Sequence, residues 1–362
     1  MGIIANPHSG KDIRRLVGLA SSFSNHEKVL ILKRVLVGLA AAGVEEVTAL
    51  DDAGGLAAAA IEGWRPDRGG GRDRGGGRRL RTRLLDIPAR GESEDSTRAA
   101  AKMREQGAGC IIVLGGDGTC RAAAKGCGNR PLIPLSTGTN NVFPQSWEGT
   151  VAGLAAGLYA CRPRRYPGQT LPTKRLRVHL AEGEEIALVD VAIVRGAYAG
   201  ARAIWEVDRI EALALTQCRP AGLGLSAIGA SLDPLGPQDR DGLWIEFAGA
   251  GKGRGKGARG GKRVLSPIGP GLLAEARVRR FRRLAPGDVI EIVAKGDRLL
   301  AFDGERERPL RAGEAVRITL DARGPRVLDV PALLERAARA GHLAEAAGNG
   351  VSRKRRGRGR GR

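Results

Sequence analysis

The stretch that most limits what this chain can fold into is Ile111-Ile112-Val113-Leu114-Gly115-Gly116-Asp117-Gly118-Thr119, four apolar residues that run into glycines around one carboxylate. A β-branched run closed by glycine reads as a strand buried on both faces, as in a parallel sheet, and Ala122 to Lys125 predict a short helix after it. The loop therefore sits at a strand's carboxyl end. Open α/β sheets bind ligands there, and glycines let backbone N–H groups approach phosphate oxygens that a Cβ would hold away. Asp117 is repelled by phosphate and needs a compensating role, either taking a proton from an attacking hydroxyl or holding Mg²⁺. The plainer reading of the same residues is a glycine-rich turn with an Asp cap.

Two further loops follow the same pattern. Gly2-Ile3-Ile4-Ala5 reads as a strand leading into Asn6-Pro7-His8-Ser9-Gly10-Lys11 and then a helix carrying Ile13, Leu16, Val17 and Leu19. Residues 27–42 have apolar side chains at helical spacing, closed by Gly43, and residues 44–50 read as the next strand. Residues 93–106 predict a helix with Ser93 and Ser96 as candidate caps. Pro131 to Leu135 form a third apolar run, which ends in Ser136-Thr137-Gly138-Thr139-Asn140-Asn141-Val142-Phe143-Pro144. Three such loops on neighbouring strand ends converge on one crevice.

At 362 residues the chain exceeds what one core usually supports and suggests two domains. Aromatic residues are only 3%, so stacking platforms for nucleic-acid bases are scarce. The net charge of +21 is concentrated: residues 65–83 carry +6, residues 252–263 carry +6 and residues 353–362 carry +7, leaving +2 elsewhere. These Gly/Arg/Lys segments cannot build a core and read as solvated loops and a tail, with capture of a polyanion as their functional alternative. Residues 252–263 mimic a P-loop but lack its Gly spacing and its Ser/Thr. Five cysteines without a C-x-x-C pair and four scattered histidines give no metal spacing, so no metal-ligating residues are assigned. The chain opens on an apolar strand and holds no uncharged run of membrane-spanning length, which predicts a cytoplasmic protein with no membrane partner.

Composition shifts to Pro/Arg around residues 161–172, where a domain boundary is expected. Beyond it, residues 176–180, 186–194, 243–247, 289–294 and 315–320 read as antiparallel strands, and residues 221–232 as a Gly/Ala-rich helix. The predicted architecture is an α/β Rossmann-like nucleotide-binding domain over residues 1–165, with a disordered Arg/Gly insertion at 65–83. A mostly-β sandwich over residues 170–330 follows, with a basic loop at 249–263, then a helix at 331–347 and a basic tail at 348–362.

On these residues the chain resembles the NAD kinase and diacylglycerol kinase superfamily, and within it the acetoin catabolism protein X branch. Gly115 to Thr119 match the superfamily's Gly-Gly-Asp-Gly-Thr signature, Pro134 to Phe143 are similar to its next strand-end loop, and Asn6 to Gly10 to its first nucleotide loop. Ser266-Pro267-Ile268-Gly269-Pro270 and Phe302-Asp303-Gly304-Glu305 resemble two later motifs. The resemblance implies in-line transfer of the ATP γ-phosphoryl group, with Mg²⁺, to a hydroxyl such as the adenosine ribose 2′-OH of NAD. It implies Asp117 as the catalytic group, with Asn6, Ser9, Gly10, Gly115, Gly116, Gly118, Thr119, Gly138, Thr139 and Asn140 on the nucleotide. Asn141, Asp190, Ser226, Asp303 and Gly304 would hold the acceptor, and a homo-oligomer is implied as well.

Two places depart from the NAD kinase pattern. Val189-Asp190 stands where NAD kinases carry Asn-Glu, and Ala221-Gly222-Leu223-Gly224-Leu225-Ser226 stands where they carry Gly-Ser-Thr-Ala-Tyr. These leave open a non-catalytic nucleotide-binding sensor and a kinase of another hydroxyl, lipid included.

Overall fold

The computed structural model describes residues 1–10, 19, 23–62, 64, 80–138, 140–196, 206–248 and 261–343, with backbone alone at 305–307. Five parallel strands form the heart of the first sheet: β1 (Gly2–Ala5), β2 (Glu46–Leu50), β3 (Arg81–Leu85), β4 (Ile111–Gly115) and β5 (Leu132–Ser136). β4 is buried at every position, as its uninterrupted apolar run requires. Two later strands, β6 (Thr170–Leu171) and β18 (Val327–Leu328), complete the sheet in the order β3-β2-β1-β4-β5-β18-β6. The chain thus returns to its first sheet after building the second half.

Among the described residues, five helices accompany this sheet up to the crossover: α1 (Asn25–Ala41), α2 (Leu56–Glu62), α3 (Ser93–Glu105), α4 (Asp117–Cys127) and α5 (Gly149–Cys161). Ser24 caps α1 by accepting the Glu27 N–H at 3.1 Å. α1 and α5 approach closely because Gly38 and Gly153 leave no Cβ between them; one built on Gly38 would lie 2.3 Å from the Thr150 carbonyl oxygen. The caps expected at Ser93 and Ser96 are not used. Asp95 instead accepts the N–H groups of Arg90, Gly91 and Glu92, because its carboxylate reaches back across the first turn of α3.

Between β6 and β18 lies a β sandwich. Its larger sheet has the order β12-β13-β11-β10-β9-β15-β16 and its smaller sheet β14-β17-β7-β8. The strands are β7 (Arg175–Leu180), β8 (Gly183–Ala187), β9 (Asp190–Arg195), β10 (Ile210–Leu215), β11 (Gly242–Phe247), β12 (Lys262–Gly269), β13 (Leu272–Leu284), β14 (Val289–Val293), β15 (Arg298–Phe302), β16 (Glu305–Leu310) and β17 (Ala315–Asp321). Val178, Ile193, Trp244, Leu300 and Ile318 form part of the core between the sheets. The single strand expected over 186–194 breaks at Leu188-Val189 into β8 and β9. The helix expected over 221–232 contracts to α6 (Ser226–Ala230), because Gly222 and Gly224 stand in its first half and Gly224 has φ of 95°.

The terminal helix is α7 (Val330–Arg339), capped by Asp329, which accepts the Ala332 N–H. Two expected basic loops also shrink. Residues 81–83 belong to β3, where Arg83 pairs with Glu46 across the sheet, and residues 262–263 to β12, where Arg263 pairs with Glu275. The rest of those basic segments, the helix expected after Lys11, and the tail lie outside the described residues. Among the described residues no helix is long and apolar enough to cross a membrane.

Candidate functional site

The three strand-end loops meet. Asn6, directly after β1, donates from Nδ2 to the Thr119 hydroxyl at 2.8 Å, tying the first loop to α4. Thr137, directly after β5, donates to the Ser9 hydroxyl at 2.7 Å, tying the first loop to the third. Gly10 packs so tightly on that third loop that a Cβ would stand 2.4 Å from the Thr137 carbonyl oxygen, and its φ of 70° favours glycine in any case. Asn141 sits against both Gly116 and Gly138 and donates to the Ser136 hydroxyl at 2.9 Å. Gly118 lies in the first turn of α4, and Thr139 lies outside the described residues.

α4 begins at Asp117 itself, earlier than the alanines of 122–125 indicate. Gly116 supplies the carbonyl for the first helical bond, from Cys120 N–H at 3.0 Å, and Gly115 is excluded from larger residues because a Cβ there would lie 2.6 Å from Thr119. The positive end of a helix thus faces the crevice between the loops, as in anion sites at helix N-termini. Asp117 is 8% exposed. Its Oδ1 accepts N–H bonds from Phe143 at 2.7 Å and Val142 at 3.1 Å, and its Oδ2 takes a second contact at 3.1 Å from the same Val142 N–H.

Lys28 is a residue that sequence reasoning missed. It is fully buried on α1, and its ammonium donates to the carbonyl oxygens of Asn6 (3.1 Å), Pro7 (3.0 Å) and Ser9 (2.7 Å). Those bonds fix the curvature of the first loop. In the sequence it follows His26 and Glu27 at the polar start of the helical pattern, where nothing marks it as buried.

One turn along α4 from Asp117, Arg121 connects the two halves of the molecule. Its guanidinium lies 5.3 Å from the Phe302 ring centroid and its Nε 3.6 Å from Asp303 Oδ2, both side chains being almost wholly buried. Asp303 has φ of 52°, and its carboxylate accepts N–H bonds from Leu188, Val189 and Asp190 at 3.0, 2.8 and 3.3 Å. Burial pushes its pKa up to about 6, against the opposing pull of Arg121 and those amides. Asp190 joins the cluster by accepting the Gly304 N–H at 3.2 Å and, through its carbonyl, the Asp303 N–H. Asp190, Asp303 and Gly304 therefore come together, in a closed network rather than a row open to solvent. The buried Cys120 thiol, pushed well up by burial, also feels both Asp117 and Asp303.

Across the crevice, Gly224 approaches Asn140, with a Cβ position 3.5 Å from its Oδ1. The Pro267 carbonyl holds the Gly224 N–H at 3.1 Å, which gives the Ser266-to-Pro270 motif a positioning role. Ser226 is 1% exposed and its hydroxyl is buried without a hydrogen-bond partner. A cavity of about 220 Å³ is lined by Phe143 and Leu188, whose amides bind Asp117 and Asp303, together with Lys174, Thr216 and Gln217. Burial pushes the Lys174 ammonium down to about 8, partly offset by Asp239 and Asp241.

A parallel α/β sheet with ligand loops at its strand ends, joined to an antiparallel β sandwich, defines an NAD kinase-like architecture. Residues 1–160 match the ATP-NAD kinase N-terminal domain and residues 174–323 the acetoin catabolism protein X C-terminal domain. The chain is 38% identical to acetoin catabolism protein X of Cupriavidus necator over 349 residues, covering 94% of this chain and 92% of that protein. It belongs to the acetoin catabolism protein X family. Among solved structures, yeast NADH kinase complexed with NADH aligns over 93% of this chain and 86% of its own, at 13% identity and a TM-score of 0.49.

Proposed function

We propose that this protein is an ATP-dependent kinase that transfers a γ-phosphoryl group to an alcohol hydroxyl, with the adenosine ribose 2′-OH of NAD as the first acceptor to test. The carrying observation is the placement of Asp117 at the N-terminus of α4, inside the ring made by the loops at Asn6–Gly10 and Ser136–Asn141. On this reading the N–H groups of the α4 first turn and the glycine loops face the phosphoryl oxygens. The Asn6 amide and Thr119 hydroxyl add polar contacts without adding negative charge. The acceptor oxygen bonds to the γ-phosphorus, the bridging bond to ADP breaks, and the hydroxyl proton passes to Asp117. The receiving group is the Asp117 carboxylate, held against the Val142 and Phe143 N–H groups.

Among the described residues no group of three or more His, Cys, Asp or Glu side chains is placed to hold a metal ion. Mg²⁺ commonly enters such sites on the nucleotide phosphates, keeping several of its waters. When bound, the ion would neutralise charge on the transferring group.

A second reading, a nucleotide-binding sensor without turnover, is favoured by two observations. Both Asp117 carboxylate oxygens already accept backbone N–H groups, and Val189 offers no side-chain amide to a ribose. Incubating the purified protein with ATP and a panel of NAD, NADH, diacylglycerol analogues and simple alcohols separates the readings. ADP release dependent on one acceptor supports the kinase; saturable ATP binding with no acceptor-dependent ADP supports the sensor.

A further inference from the structure

The seven strands of the larger β-domain sheet face only four in the smaller one. The smaller sheet stops at β14, and beside it opens a cleft of about 640 Å³ that shares no lining residue with the three loops. Its floor includes Ile193, Ala212 and Trp244 on the adjacent strands β9, β10 and β11, part of the core between the sheets. One wall is β14, whose outer edge pairs with no other strand among the described residues. Phe281, Val289 and Val293 line the cleft at 39%, 45% and 60% exposure, an unusual run of apolar side chains beside an open strand edge.

The charge around this apolar strip is one-sided. Arg195, Arg279, Arg280, Arg282, Lys295 and Arg298 line it against Glu211, Glu246 and Glu291, a surplus of three positive charges. The acids are already matched by arginine: Arg298 and Arg195 to Glu211 at 2.7 and 3.9 Å, Arg280 at 2.6 Å and Arg279 to Glu246, Arg317 to Glu291 at 2.9 Å, and Arg282 to Asp288 at 3.1 Å, and counting Arg317 and Asp288 the surplus stays at three.

We propose that the cleft binds an extended acidic peptide segment of a partner protein, added as a strand to the edge of β14. Strand addition satisfies the open backbone edge, while side chains alternating along the added strand place apolar groups on the strip and carboxylates toward the arginines. A second copy of this chain is disfavoured, because a chain of net charge +21 meets a positive cleft. A small inorganic anion would use the charges and leave the edge and the apolar strip unmatched.

The test uses the full-length protein and a dye-labelled ten-residue peptide of alternating valine and glutamate, followed by fluorescence anisotropy. The proposal expects saturable binding, none by the valine–lysine twin, and at least a tenfold loss in the R279E/R280E double variant and in V293E. Both changes lie at exposed positions, and thermal unfolding verifies that each variant is folded. Of two peptides N-methylated on one or the other set of alternate residues, only one should lose binding, because only one set faces β14. Equal binding by both methylated peptides, or no saturable binding, overturns strand addition. Complete displacement by inorganic triphosphate reduces the cleft to an anion site and also overturns it. Self-association in sedimentation that disappears in F281E would assign the cleft to a second copy instead.

Discussion

Asp117 and Asp303 each direct a carboxylate at consecutive backbone N–H groups of a neighbouring loop, Val142 and Phe143 for the first, Leu188 to Asp190 for the second. Their surroundings separate them. The Asp303 side chain is sealed from solvent beside the Arg121 guanidinium, in a left-handed turn of the β domain. Asp117 opens a helix where three glycine-bearing loops meet. A buried carboxylate with its cation can latch two domains, whereas the proposed reaction asks for a carboxylate at a helix N-terminus among phosphate-facing loops. Arg121, on the same helix as Asp117, carries the position of one into the other.

The largest expected effect falls on the open member of the pair. Asp117→Asn should lower acceptor-dependent ADP formation by roughly 10³-fold, the scale of a lost general base, with ATP affinity changed by less than about threefold. Equal loss of affinity and turnover would make Asp117 a loop brace only. On the sealed side, Arg121→Met leaves Asp303 without its cation and should cost about 3–5 kcal/mol in urea unfolding; a cost below about 1 kcal/mol would remove the latch.

The pH dependence of stability extends the same contrast. Because the Asp303 pKa stands near 6 in the folded protein and 3.8 is its ordinary value, the folded state binds the extra proton between them. Its contribution to stability is greatest below about pH 4 and falls as pH rises to about 6, by up to about 3 kcal/mol, then levels off. Wild type compared with Asp303→Asn across pH 4–7 should show that decline; parallel curves would contradict it. The smallest effect is expected at Gly10→Ala, where φ of 70° and the close Thr137 carbonyl oppose a side chain. A rise of about tenfold in KM for ATP, ~1.4 kcal/mol of binding, with kcat nearly unchanged, would place the first loop on the nucleotide.

Much of the open member's setting was legible in the sequence and little of the sealed one's. Strand β4 and its loop announced themselves because a buried parallel strand is a plain apolar run, and glycines mark where backbone must come close. The start of α4 did not, since Gly118 and Thr119 are poor helix formers used here for position rather than propensity. Arg121 and Lys28 were invisible for another reason: periodicity assigns charged residues to solvent, and their burial becomes sensible only once Asp303 and the first-loop carbonyls arrive from elsewhere in the chain. Strand β12 hid in part behind the basic loop expected up to residue 263, and β13 was not expected at all, because adjacent arginines at 279–280 and 282–283 break the alternation that marks a strand. The family resemblance assigns Asp190, Asp303 and Gly304 to the acceptor; the structure joins them into one buried network, and Leu188, whose N–H binds Asp303, also lines the cavity by Phe143.

Everything proposed for the ring of loops around Asp117 turns on whether it transfers phosphate or merely binds it. NADP formation from ATP and NAD by purified protein, in parallel with ATP binding by calorimetry, decides this for wild type and Asp117→Asn. Wild type should yield product, the variant almost none, and both should bind ATP. ATP binding without transfer to NAD or to any other hydroxyl in the panel would refute the kinase.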